Sequence, residues 1–289
     1  MKIAGRWVEV RRSSCRAPSL QQGVGVTRLV PFETLDELRW SFTVTRDLAN
    51  PMGVLYGGAP LAGAVELVEE SFGMATRWAT IRFLHGAAIG DDLVVTARVD
   101  VDGRSTKHCT VTGVTDDRVV FEVMLGIGSG RDGAMTAQYL SMPDAPEPDD
   151  ASPPSAQADR PELAGTAVSL AERRLAYGAS PFSGETQPDG RIGMWARMPD
   201  GDTASRPALA WLADCMPLGI AAASGKMPAG VSLDNTIRFG RSVESEWVLL
   251  DVSAEAVADG YGYGTVHCWA ADGTLLGTGT QTAIIRHLF

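Results

Sequence analysis

Residues 38–44 (LRWSFTV) alternate with the two-residue period of a β-strand, with Leu38, Trp40, Phe42 and Val44 on one face. Residues 46–56 carry Asn50-Pro51 and Gly53 and are expected to form a loop. At Gly57-Gly58-Ala59-Pro60 the period changes. Leu61, Ala64, Val65 and Val68 fall at i, i+3, i+4 and i+7, the buried stripe of a helix, and Pro60 sits in a first turn where its missing N–H costs nothing. Glu66 and Glu70 lie off that stripe and are expected on a solvated face. Alternation returns over 78–85, 92–101, 105–115 and 118–128, predicting four successive antiparallel strands with short turns. The order then begins again: a strand over 191–198, a loop over 199–207, a helix over 208–216, and strands over roughly 231–240, 246–258, 261–271 and 274–287. Residues 1–30 show little periodicity.

The second series is a copy of the first. Thr80-Ile81-Arg82-Phe83 reappears as Thr236-Ile237-Arg238-Phe239, and each copy follows an Ala-rich apolar segment and precedes three further strand-like runs. Between them, residues 143–163 are rich in Pro and Asp and nearly devoid of large apolar side chains, so this segment is expected to be an unordered or extended linker. The chain therefore divides into residues 1–142, the linker 143–163, and residues 164–289. Each unit is a long helix that must bury its stripe on a curved antiparallel sheet, and two such sheets can join edge to edge. That is an α+β architecture, the double hotdog.

The two helices differ in chemistry. The second, ALAWLADCM, is apolar all round except for Asp214. A lone buried carboxylate costs several kcal/mol unless paired or hydrogen-bonded, a cost usually tolerated for function or for a specific polar contact. A capped or partly exposed aspartate near a kink at Pro217 accounts for it equally well.

The stretches LAWLADCMP, VSLDNTIRF and GTGTQTAIIR, together with Tyr56-Gly57-Gly58 at the first helix start, resemble the TesB-type (thioesterase II) acyl-CoA thioesterases. The resemblance spans both halves and is clearest after Pro207. It implies hydrolysis of a fatty or related acyl-CoA to free acid and CoA, with Asp214, Ser232 and Gln281 on the three positions that activate a water. The family's usual threonine is serine here, which keeps the hydroxyl. Thioester hydrolysis needs an acceptor to polarise water and donors for the developing oxyanion. The backbone N–H of Gly58 at a helix N-terminus is the candidate oxyanion donor. Aligning the repeats puts Glu66 opposite Asp214, making Glu66 the alternative acid, and puts Gly126 opposite Gln281. The missing amide favours the second half.

Composition excludes little more. The net charge of −10 argues against non-specific nucleic-acid binding. No run of 18 apolar residues is present, so no membrane span is expected. The first residues lack the apolar core of a secretory signal. The four cysteines, Cys15, Cys109, Cys215 and Cys268, have no CxxC spacing and read as reduced thiols of a cytoplasmic protein. The histidines show no ligand spacing, and no dinucleotide fingerprint, P-loop or GxSxG elbow is complete, so neither metal nor cofactor is expected. Two rivals to hydrolysis are a catalytically silent acyl-CoA-binding protein and a hotdog dehydratase, which needs a His on the first helix where none occurs. A homo-oligomer, dimer or larger, is expected from the usual two-fold closure of such assemblies.

Overall fold

A computed structural model describes residues 28–116, 118–131, 133–152 and 160–288. Cys15 and the middle of the Pro/Asp-rich segment lie outside them. The first half contains β1 (Glu33–Asp36), β2 (Arg39–Thr43), α1 (Gly58–Phe72), β3 (Ala75–Phe83), β4 (Asp92–Asp102), β5 (Thr106–Thr115) and β6 (Arg118–Gly128). The second contains β7 (Glu172–Tyr177), β8 (Arg191–Arg197), α2 (Arg206–Leu212), α3 (Met216–Ser224), β9 (Pro228–Phe239), β10 (Val248–Ala258), β11 (Tyr261–Ala270) and β12 (Leu275–Leu288).

All twelve strands belong to one antiparallel sheet, in the order β1-β2-β4-β5-β6-β3-β9-β12-β11-β10-β8-β7. The order reads the same from either end, so the two halves are related by a pseudo-two-fold axis at the β3–β9 seam. The repeated tetrapeptides form that seam. Thr80 pairs with Thr236, and their hydroxyls meet at 2.9 Å. This is the double-hotdog arrangement, with the helices packed on the sheet.

The first strand of each set of four does not pair with the second. β3 pairs with β6 and β9, while β4, β5 and β6 form the consecutive hairpins. Ala79 and Ile81 explain the placement: fully buried, they make β3 a central strand. Residues 84–91, with Gly86 and Gly90, carry the chain across to β4 in place of a tight turn.

Three further expectations need correction. The solvated face assigned to α1 is covered at Glu66, because every residue from Gly58 to Val68 is buried. The segment 28–32 lies over that face: Val30 is fully buried, and the Phe32 ring occupies the space left by Gly63. The second helix is longer than residues 208–216 and is broken by a turn at 213–215. Taken together Arg206–Ser224 reach a mean hydropathy of 1.2, enough by length and composition to cross a membrane, but the stretch is broken and mostly buried in the protein. Finally, the described part of the linker is held in place. Trp195 Nε1 donates to the Pro146 carbonyl at 2.8 Å, Arg174 reaches Pro148 and Asp149, and Ala151 packs with Trp195, Trp247 and Trp269. The segment nearly lacks large apolar side chains of its own, and the tryptophans of the second half supply them.

The seam gives the first prediction. Thr80→Val leaves the Thr236 hydroxyl without its partner and should cost about 1 kcal/mol by urea unfolding. Thr80→Val/Thr236→Val should cost less than the sum of the single variants, whereas strict additivity would show that the pair is not coupled.

Candidate active site

The site starts from a missing hydrogen-bond donor. Pro217 has no backbone N–H and its ring cannot follow a continuous helix, so the helix breaks just before it. The break at 213–215 leaves carbonyls without intrahelical partners, and the single O–H of Tyr56 from the first half is shared between two of them, Trp211 O at 3.1 Å and Asp214 O at 2.9 Å. The Met216 N–H turns to Gln281 Oε1 at 3.2 Å.

Gln281 lies on β12, directly opposite Asn235 of β9. Strict alternation would put Ser232 on the other face of the sheet. The β9–β12 register slips at Leu233, so that Ser232 pairs with Ala283 and faces the same way as Gln281. With its carbonyl fixed by Met216, the Gln281 amide nitrogen donates to the Asp214 carboxylate and to Ser232 Oγ, the latter at 2.9 Å. The three residues singled out in the sequence are thus joined in one network. Gln281 is 2% exposed and both its donors are used, so it holds the acid and the hydroxyl in place and does not itself bind water.

The other carboxylate oxygen of Asp214 accepts the Gly58 N–H at 3.1 Å. The electropositive N-terminus of α1 is therefore capped by a carboxylate from the opposite half. Two glycines permit this approach. A Cβ on Gly57 would lie 2.7 Å from Asp214 Oδ2, and one on Gly58 would lie 2.4 Å from the Trp211 carbonyl oxygen. The Gly58 N–H assigned to the oxyanion is accordingly engaged with Asp214 in the free protein. Burial pushes the Asp214 carboxyl up to about 6, against the opposing pull of Gln281 and the Gly58 and Gly57 backbone N–H groups.

Asp214 and Ser232 open onto a cavity of about 360 Å³ between the halves, walled by Tyr56, Gly57 and Phe83 from one side and Leu218 from the other. Its lining is largely apolar, as suits an acyl group. Arg173 of β7 also lines it, with its guanidinium on the carbonyls of Val168 and Ala171. Sequence reasoning missed Arg173 because β7 carries no clear alternation. It also gave Tyr56 no role, although the Tyr-Gly-Gly string marked the place.

Glu66 does not join this site. It lies about 12 Å along α1 from Gly58 at the helical rise per residue and is not part of the cavity wall. Glu66 precedes the left-handed C-cap Gly73 by seven residues and Asp214 precedes Gly225 by eleven, with a break between, so the two do not correspond along their helices. The strand register likewise puts Leu125, not Gly126, opposite Gln281: Leu125 pairs with Ala79 as Gln281 pairs with Asn235. The first half lacks the amide in either alignment. Glu66 has one buried carboxylate oxygen without a partner, and burial, with Glu70 nearby, pushes its carboxyl up to about 7.

A double hotdog that holds an acid and a hydroxyl side by side at a cavity between its halves, through one buried amide, has the groups that thioester hydrolysis needs. Comparison with known proteins agrees. Residues 45–128 match the family description "Acyl-CoA thioesterase N-terminal domain", and residues 143–285 match "Acyl-CoA thioesterase C-terminal domain". The chain belongs to the acyl-CoA thioesterase family and is a thioester hydrolase. Among solved structures, a "putative thioesterase" from Novosphingobium aromaticivorans is 29% identical, with a TM-score of 0.78 over 89% of this chain and 98% of that one. A hot dog fold protein from Alicyclobacillus acidocaldarius (22% identity, TM-score 0.78, 90% and 97% covered) shares the fold. So does a tesB protein from Mycobacterium avium subs paratuberculosis (20% identity, TM-score 0.71, 90% and 97% covered). A comparison with curated proteins finds no match.

The buried Glu66 gives the second prediction. A carboxyl raised to about 7 contributes stability that is present at low pH and lost as pH rises through about 7. Glu66→Gln holds the neutral form, so its Tm should exceed that of the wild type at pH 8 and approach it at pH 5. Turnover should be nearly unchanged. A variant that loses turnover would return Glu66 to the chemistry.

Proposed function

We propose that the protein hydrolyses acyl-CoA thioesters by direct attack of a water that Asp214 polarises and Ser232 orients. The observation that carries this reading is the pairing of a cavity-lining carboxylate with a cavity-lining hydroxyl through one buried amide. The acyl group occupies the apolar cavity between the halves. Water attacks the thioester carbon while its proton passes to Asp214, forming the new C–O bond. Collapse of the tetrahedral intermediate breaks the C–S bond, and the proton held by Asp214 leaves with the CoA thiol. The positive end of α1 contributes favourable potential to a cavity in which negative charge develops. Gln281 keeps Asp214 ionised near neutral pH by donating to it, and fixes Ser232 beside it.

A protein that only bound acyl-CoA would not need a carboxylate and a hydroxyl held side by side at the acyl cavity. We also propose a cytoplasmic location, where CoA thioesters and the free thiols Cys109, Cys215 and Cys268 are compatible, and assembly as a two-fold homo-oligomer.

Release of CoA from a panel of acyl-CoAs, followed with a thiol reagent, tests the reading. Asp214→Asn keeps the shape and much of the hydrogen bonding but removes the charge. It should lower kcat by about 10²–10⁴-fold, the usual worth of general-base help, with an unchanged circular dichroism spectrum. Wild-type turnover equal to that of Asp214→Asn would reduce Asp214 to a cap on α1.

A further inference from the structure

The pseudo-two-fold axis gives the catalytic cavity a counterpart. β3 carries the same slip as β9. Its register with β6 shifts at Arg77, as that of β9 with β12 shifts at Leu233, so Thr76 pairs with Ile127 as Ser232 pairs with Ala283. The rims correspond too. The Leu84 and His85 N–H groups donate to the Val120 carbonyl at 2.9 and 3.2 Å, and the Gly240 and Arg241 N–H groups donate to Leu276 and Leu275 at 2.7 and 3.2 Å. Leu84 and His85 border the catalytic cavity, and Gly240 and Arg241 border a second cleft of about 610 Å³.

The second cleft has none of the hydrolytic chemistry. Leu125 replaces the amide, and the acid at this end, Glu69, accepts the Thr76 N–H at 2.6 Å. Its lining instead holds Arg77, Arg206 and Arg241, and no carboxylate. Arg77 spends Nε and Nη2 on the Gly128 carbonyl, which leaves Nη1. Arg206 stands 3.9 Å from Glu69, at the limit of an ion pair. The Arg241 side chain makes no hydrogen bond among the described residues. Asp272 is the acid that it acts on, and that carboxylate is held first by the Thr274 N–H. The outer wall is anchored: Gln138 donates to the Gly273 carbonyl at 3.0 Å and accepts the Leu275 N–H at 2.8 Å. Next to it stands the Tyr139 ring, 87% exposed.

We propose that this second cleft binds a phosphorylated small molecule through a diphosphate group. Three guanidinium groups exceed what a single carboxylate ligand would neutralise, and their planar forks match phosphate oxygens. They gather in a chain whose net charge of −10 otherwise repels anions. The Tyr139 ring supplies a surface on which a base can stack. The duplication has thus left one cleft for hydrolysis and turned its twin into an anion site.

Calorimetric titration of the full chain at low ionic strength tests the proposal, with inorganic pyrophosphate, ADP and CoA as probes. Pyrophosphate should bind saturably at one site per chain. Arg241→Ala, an exposed position, should weaken that binding at least about ten-fold with the fold intact by circular dichroism. ADP tighter than pyrophosphate, with the advantage lost in Tyr139→Ala, assigns a nucleotide. Equal affinities assign the phosphates alone. CoA binding at two sites, one of them lost in Arg241→Ala, assigns the CoA head group. No saturable binding of any probe to the wild type, or binding that Arg241→Ala leaves unchanged, overturns the proposal.

Discussion

The structure of the site depends on one absent hydrogen atom. Because Pro217 has no N–H, the helix that crosses the second half stops and restarts. The restart releases the Met216 N–H to Gln281 and two carbonyls to Tyr56. Each of these bonds then does a second task. Gln281, fixed at its carbonyl, is aimed at Asp214 and Ser232. Tyr56 ties the broken helix to the first half just where Gly57 and Gly58 bring the α1 N-terminus against the Asp214 carboxylate. A continuous helix would leave the Asp214 side chain with no reason to face the other half.

The second constraint is the seam. Thr80 and Thr236 sit on the pseudo-two-fold axis, and everything on either side of them is laid out twice. Both halves keep the register slip that turns the residue at Thr76 or Ser232 toward the helices. Only one half also has the amide and the acid. Since the cavity takes walls from both halves, neither half holds a complete site by itself. The interface between the duplicated units is where the chemistry resides.

Much of this was legible in the sequence. Alternation located most strands, the repeated tetrapeptide marked the duplicated unit, and a single charge on an apolar helix pointed to Asp214. Strand order was not legible, because hydrophobic period reports which face is buried and not which neighbour a strand takes. The placement of Glu66 failed for a related reason. Its helical position looked solvated, but residues 28–32, which have no periodicity, cover it. The repeat alignment around Glu66 failed because the two helices differ in length and breaks, so offsets that hold for strands do not carry through them; at Gly126 it missed by one residue, since the spacing between the repeated tetrapeptides leads from Gln281 to Leu125. The role of Gln281 was also beyond reach: only the geometry reveals that both its donors are already committed.

The central claim is that Asp214, held by Gln281, must be ionised for the reaction. The most direct measurement is the pH dependence of kcat/KM, which reports the free enzyme. With the Asp214 carboxyl at about 6, kcat/KM should rise with pH through about 6 and level off above it. Gln281→Ala removes a donor that favours the ionised form, so the limb should move to higher pH. A profile flat from pH 5 to 8, or a limb that Gln281→Ala leaves in place, would contradict the account.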